Sequence, residues 1–304
     1  MTLLALLIGL MIERIATQLF HLRRLRWIDR IIDAGFTLGD RLTGRSGLAP
    51  VIALALTLIA PVLAALMLLY DRSYGVEDLL FAVFVLFFSL GPQDIGEDVA
   101  EYCRAIESDD AEAIANTSKA LLEQDPPADA LERIRRVEES VFAQASNRLF
   151  AVVFWFVAFG PFGPLGAWCY RVTDLIRRRA VFNASRDAGS SDALLAAAIT
   201  LHGWLIWIPA RITAVGYALV GSFDGGMSAW RHRAESASED TVHGNSEKLL
   251  ARVGVGALAL KSIDDESLAE RGVRGATAAS HLVYRLFLFW AAFVGALSLY
   301  GLYV

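Results

Sequence analysis

A chain of 304 residues with 55% hydrophobic side chains and a mean hydropathy of +0.45 is too apolar for an ordinary soluble domain. With 28 basic and 33 acidic residues and a net charge of −5, it is also too charged to lie wholly in a bilayer, so a mixed architecture follows. Two distant cysteines, Cys103 and Cys169, and five scattered histidines form no CxxC, HExxH or close pair, which speaks against a metal site.

The apolar start, Leu3 to Ile12, has no basic residue before it and runs into Glu13 and Arg14 rather than a small-residue cleavage site, so it is expected to stay attached. The segment His21 to Ser46 holds six arginines against three aspartates, which under the positive-inside rule faces the cytoplasm. Leu48 to Tyr70 then runs for 23 residues without a charge. About 20 apolar helical residues cross a hydrocarbon core roughly 30 Å thick, so this segment spans, with a kink expected at Pro61. Val76 to Gly91 crosses back.

Residues 92–148 are read as an acidic cytoplasmic segment: from Gly91 to Arg148 there are 14 carboxylates against six basic residues. Its apolar positions are helically spaced, with Ile95, Val99, Cys103 and Ile106 on one face. Asp109-Asp110-Ala111-Glu112 reads as a capping box for a second helix that stops before Pro126-Pro127. A third helix begins near Asp129 and continues into the apolar stretch at Leu149. Gly160-Pro161-Phe162-Gly163-Pro164 interrupts that stretch at its centre, and a full crossing would put the five arginines of Arg171 to Arg186 outside. A hairpin turning at the Gly-Pro cluster avoids this. Arg177-Arg178-Arg179 reads most simply as a topological anchor.

Ala193 to Val220 carries Pro209 and Arg211 among otherwise uncharged residues and reads as a second broken or re-entrant element. Residues 223–285 form a second cytoplasmic segment, with an amphipathic stretch from Glu247 to Leu260. Leu286 to Val304 closes the chain as a spanning helix of 19 residues. The expected fold class is therefore all-α, a single polytopic membrane domain over residues 1–304. It has about four full spans, two broken or re-entrant elements and a helical cytoplasmic layer.

Several strings in order carry a resemblance: Thr2-Leu3-Leu4 with Glu13-Arg14, Gly91-Pro92-Gln93-Asp94, Phe154-Trp155, and Gly166 with Tyr170. Together with the run to Arg211 they resemble AmpE, the family of inner-membrane modulators of β-lactamase induction in Gram-negative bacteria. Trp207-Ile208-Pro209-Ala210-Arg211-Ile212-Thr213-Ala214 is similar to the Tyr-Ile-Pro-Ala-Arg-Leu-Thr-Ala of the membrane-bound adenosylcobinamide-phosphate synthases. Tyr170-Arg171 matches their Tyr-Arg, and Glu139 matches a glutamate ahead of their Phe-Trp.

The departures bear on chemistry. Where the synthases place two aspartates ahead of that string, this chain has His202 and Gly203. Activating a carboxylate with a nucleotide needs carboxylates to hold metal and phosphates. The resemblance therefore implies a multi-pass inner-membrane modulator that binds an anionic small molecule, a cell-wall fragment or a nucleotide, without turning it over. The alternative is a membrane-embedded ligase or transferase. Membrane lipid is the other expected partner; no nucleic acid and no particular cofactor is implied.

The candidate ligand-binding residues are Arg211, Glu139, Asn147, Tyr170, Arg171, His202 and Asp94. An arginine at mid-membrane costs at least ~2.5 kcal/mol unless paired or hydrated. Arg211 therefore either meets an anionic ligand through its planar donors or pairs with a carboxylate such as Glu139. His202 is an ionisable group in an apolar run, and it is either a site residue or a buried, hydrogen-bonded imidazole. Asp94 either joins the site or stabilises the start of the helix that follows.

Overall fold

The computed structural model describes residues 26–43, 47–70, 76–90, 95–186, 192–231 and 242–299. Every regular element among them is helical. The apolar start and Asp94 lie outside the described residues.

Helix α1, Arg26–Thr43, packs antiparallel to α2, Leu48–Tyr70. It was not foreseen, although Ile28, Ile32 and Phe36 recur at the helical interval and are buried. Its Asp33 accepts from Arg179 Nε at 2.7 Å and Asn183 Nδ2 at 3.0 Å. Arg179 is thus tied to a second helix rather than serving as a bare anchor. Helix α2 carries Pro61, and a proline disturbs the hydrogen-bond ladder of the preceding turn. Trp168 Nε1 donates to the Leu58 carbonyl there, at 3.0 Å.

Helix α3, Val76–Ser89, is followed by α4, Ile95–Glu107, and α5, Ala111–Leu122. The cap of α5 falls one residue later than expected: Asp110 accepts from the N–H groups of Glu112 and Ala113, both at 3.0 Å. Helix α5 stops at Glu123, ahead of the prolines. Asp129 caps α6, Ala130–Ala145, by accepting from Glu132 N at 2.8 Å.

Helix α6 passes through a π-helical turn at Ser146–Phe150 into α7, Ala151–Ala158. The chain then reverses through a 3₁₀ turn at Gly160–Phe162, where Gly160 takes a φ of +55° that only glycine adopts cheaply. Helix α8, Gly163–Ala184, returns against α7, so the hairpin at the Gly-Pro cluster forms as expected.

Helix α9, Asp192–Val220, differs from expectation because it runs unbroken through Pro209. The carbonyl that Pro209 leaves without a backbone donor belongs to Leu205, four residues earlier. Trp155 Nε1 donates to it at 3.1 Å, which satisfies that carbonyl within the continuous helix. Helix α10 is Phe223–Arg231, α11 is Val242–Leu258, and α12 is Leu268–Leu299. Helix α12 starts well before Leu286, because Ala276, Ala279 and Leu282 supply a buried face that the polar surroundings disguise.

Among the described residues, four segments are long and apolar enough to cross a membrane: Leu48–Leu69, Ala130–Ala158, Asp192–Val220 and Leu268–Ala296. This is a polytopic membrane protein. One of them, Asp192–Val220, is an element expected to be broken, Ala130–Ala158 is the arm that leads into the hairpin, and Val76–Ser89 falls short at 14 residues. One core gathers Val141, Phe142, Tyr170, Tyr217 and Val253 where α6, α8, α9 and α11 meet. A second joins α1 and α2 to Trp168, Val172 and Ile176 of α8. At Gly254 an added Cβ would lie 2.3 Å from the Phe142 ring, so glycine lets α11 lie close on α6. That approach brings Glu247 to the site.

Candidate functional site

Arg171, Asp174, Arg177 and Arg178 fall at i, i+3, i+6 and i+7 on α8, which puts them on one face. Asp174 is wholly buried and accepts three bonds of 2.9 Å, from Arg171 Nη1, Arg177 Nη2 and Arg178 Nε. From the π-helical turn, Arg148 Nη1 donates to Asp98 Oδ2 of α4 at 2.7 Å, and Arg148 Nε donates to Gln144 Oε1 at 3.1 Å. Gln144 also accepts from Arg178 Nη2 at 3.4 Å.

Glu123 at the end of α5 completes the group, 2.5 Å from Arg178, 3.7 Å from Arg148 and 3.8 Å from Arg177. Burial pushes its carboxyl up, but the guanidiniums of Arg178, Arg177 and Arg148 outweigh that and hold it below the usual carboxylate range. Four arginines therefore face three carboxylates. Glu247 of α11 adds a fourth carboxylate within electrostatic reach of Arg177, so the surplus of positive charge lies in the surrounding cleft rather than in the cluster itself.

A second polar layer, gathered around the Glu247 carboxylate, adjoins it. Asn147 Nδ2 donates to Glu247 Oε1 at 3.1 Å, and Tyr170 Oη donates to Asn147 Oδ1 at 3.4 Å. His202 sits with Nδ1 3.5 Å from Thr173 Oγ1, its ring 5.2 Å from that of Tyr170 and 5.0 Å from that of His243. His243 Nε2 lies 3.5 Å from Glu247 Oε1. Burial lowers the affinity of His243 for a proton, and the Glu247 carboxylate offsets this in part. His202 Nε2, His243 Nδ1 and Arg177 Nε are buried without a hydrogen-bond partner.

Above the arginines opens a cleft of about 1400 Å³ between α5, α6, α8 and α11. Nine lysine and arginine side chains line it against four carboxylates. In a chain of net charge −5 this is a local reversal of sign.

Of the residues singled out from sequence, Asn147, Tyr170 and His202 come together in the second polar layer, and Arg171 joins the Asp174 cluster. Glu139 lies on the cleft wall, its Oε1 3.8 Å from Arg135 Nε. Arg211 is elsewhere: Nη1 donates to the Trp207 carbonyl at 2.7 Å, and the guanidinium stands 3.9 Å over the Trp207 ring. Its Trp207, Ile208 and Ile212 neighbours are exposed apolar residues on the outside of α9. Sequence reasoning passed over Asp98, Glu123, Gln144, Arg148, Arg177 and Arg178. The signal for the last two was the spacing of three arginines around Asp174.

These features define a class: a polytopic helical membrane protein with an arginine-rich cleft beside a buried charge cluster. The chain belongs to the AmpE family, because the family model described as regulatory signalling modulator protein AmpE matches residues 1–304. It is also similar to the cobalamin biosynthesis protein CobD of Stutzerimonas stutzeri (strain A1501), at 26% identity over 213 residues. That likeness covers 69% of this chain and 68% of the relative. No solved structure matches it. Among the described residues, no group of three or more His, Cys, Asp or Glu side chains is placed to hold a metal ion.

Proposed function

We propose that this protein is an inner-membrane modulator of the cell-wall stress response that leads to β-lactamase induction. It acts by holding an anionic small molecule, a cell-wall fragment or a nucleotide, in the arginine-rich cleft without converting it. The observation that carries this reading is the excess of nine cationic over four anionic side chains around one cleft in an acidic chain. A β-lactamase reporter in cells lacking the chain tests it: the wild type restores the induction response, and Arg178→Glu, once shown to insert normally, does not. Normal induction with Arg178→Glu would remove the cleft from the function.

A second reading, an amide-forming synthase or transferase, is favoured by the likeness to CobD. Against it, Asp98 and Asp174 already accept hydrogen bonds from guanidiniums, and His202 and Gly203 stand where the synthases carry aspartates. Product formation from a nucleotide and a carboxylate by the purified protein would establish that reading.

A further inference from the structure

The three acids of the cluster are not held alike. Asp174 and Asp98 receive aligned hydrogen bonds of 2.7 to 2.9 Å, and their side chains are 0% and 5% exposed. Glu123 is 24% exposed and lies on the cleft. Its Oε1 has no hydrogen bond, although Arg178 Nη1 is 2.5 Å away, and the contacts to Arg148 and Arg177 at 3.7 and 3.8 Å are beyond hydrogen-bonding reach. A planar carboxylate thus underfills a seat approached by three guanidiniums. Arg177 Nε is left buried with no acceptor, in a residue more than nine-tenths buried.

The backbone agrees with the side chain. Glu123 has a φ of 57°, a left-handed conformation that L side chains rarely adopt, and it connects α5 to the loop carrying Pro126 and Pro127. A tetrahedral dianion presents more oxygens than a carboxylate and matches guanidinium donors arriving from several directions.

We propose that Glu123 occupies, from within the chain, the seat of a phosphate group, and that a phosphate-bearing ligand displaces it from Arg148, Arg177 and Arg178 and frees the α5–α6 connection. The inference rests on the cleft's being an anion site and adds the ligand's chemistry and its regulation. The phosphate belongs to a soluble molecule or to a lipid headgroup.

The test uses the full chain in nanodiscs with pyrophosphate as the probe, followed by calorimetry and hydrogen exchange. Pyrophosphate should bind the wild type, Arg178→Gln should lose it, and Glu123→Gln should bind it about tenfold more tightly, as expected when a competitor occupying most of the population is removed. Glu123→Gly, which also suits the left-handed backbone, should behave likewise if Glu123→Gln folds poorly. In the wild type, saturating pyrophosphate should speed exchange over residues 119–130. If that acceleration occurs without pyrophosphate in discs containing phosphatidylglycerol, and not in phosphatidylcholine alone, the phosphate is a lipid's. Binding that needs Arg178 but is unchanged by both Glu123 variants, with no change in exchange, overturns the displacement and leaves the anion cleft standing. No binding of pyrophosphate to any form, and no exchange response to either lipid, overturns both.

Discussion

Asp174→Asn keeps the shape of the side chain and removes one charge, and its cost follows from what the neighbours can do next. Breaking a buried ion pair by removing one partner typically costs about 3–5 kcal/mol, because a charge is left uncompensated. Three guanidiniums lose their counter-charge here, while one amide oxygen can still accept, so the costs should not add. Arg178 keeps Glu123 at 2.5 Å and Gln144 at 3.4 Å, and Arg177 keeps Glu123 at 3.8 Å. Arg171, 3% exposed, has no other ion pair among the described residues. The loss should therefore approach that of one buried pair, about 3–5 kcal/mol, a large share of the ~5–15 kcal/mol a folded chain holds in total. Denaturant titration in mixed micelles, followed by tryptophan fluorescence, measures it. Arg179→Gln, which breaks a half-exposed pair with Asp33, is the control and should cost about 0–1 kcal/mol. If Asp174→Asn stays within about 1 kcal/mol of the wild type, the cluster is not the buried, coupled unit argued above.

Three further outcomes are expected. Trp155→Phe should cost about 1–2 kcal/mol by stranding the Leu205 carbonyl; Pro209→Ala restores a backbone donor to it, so the double variant should lose less than the sum, and strict additivity would refute the pairing. Because burial lowers the proton affinity of His243, the folded protein binds fewer protons there than the unfolded chain. Stability from this group is full above about pH 6.5 and falls below it; Glu123, also lowered, adds a second loss beneath about pH 4.5 as its carboxylate protonates. His243→Gln should flatten the slope between pH 6.5 and 5.5, and an unchanged slope would assign it to other groups. Finally, expression in a cell lacking its own cobinamide synthase should not restore growth that depends on cobalamin made from cobyric acid; restored growth would favour the enzyme reading.

The apolar runs and the Gly-Pro hairpin were legible because spanning length and backbone permissiveness are local properties of sequence. The start of α12 was not, since its buried face is built from alanines spaced among charges at 268–285. Nor was the continuity of α9, which depends on an indole 50 residues away. The site followed the same division. Asn147, Tyr170 and His202 stood out as polar residues in or beside apolar runs and were brought together. Arg211 stood out by the same rule and was not, because its neighbour Trp207 supplies both an acceptor and a ring. Arg148, Glu123 and Asp98 looked like ordinary boundary charges, and only the meeting of four helices makes them one cluster.

The π-helical turn at Ser146–Phe150 gears the site to the far end of the hairpin. It carries both Asn147 and Arg148, and beyond it lies Trp155 with its bond to Leu205. Removing the one residue that the wider turn accommodates would rotate everything after it by about 100°, one residue's share of a helical revolution. That rotation would carry Trp155 off the Leu205 carbonyl and unseat the Arg148–Asp98 contact in the same movement. A disturbance at the charged cleft and a loosening of α9 at Pro209 are therefore two readings of one dial.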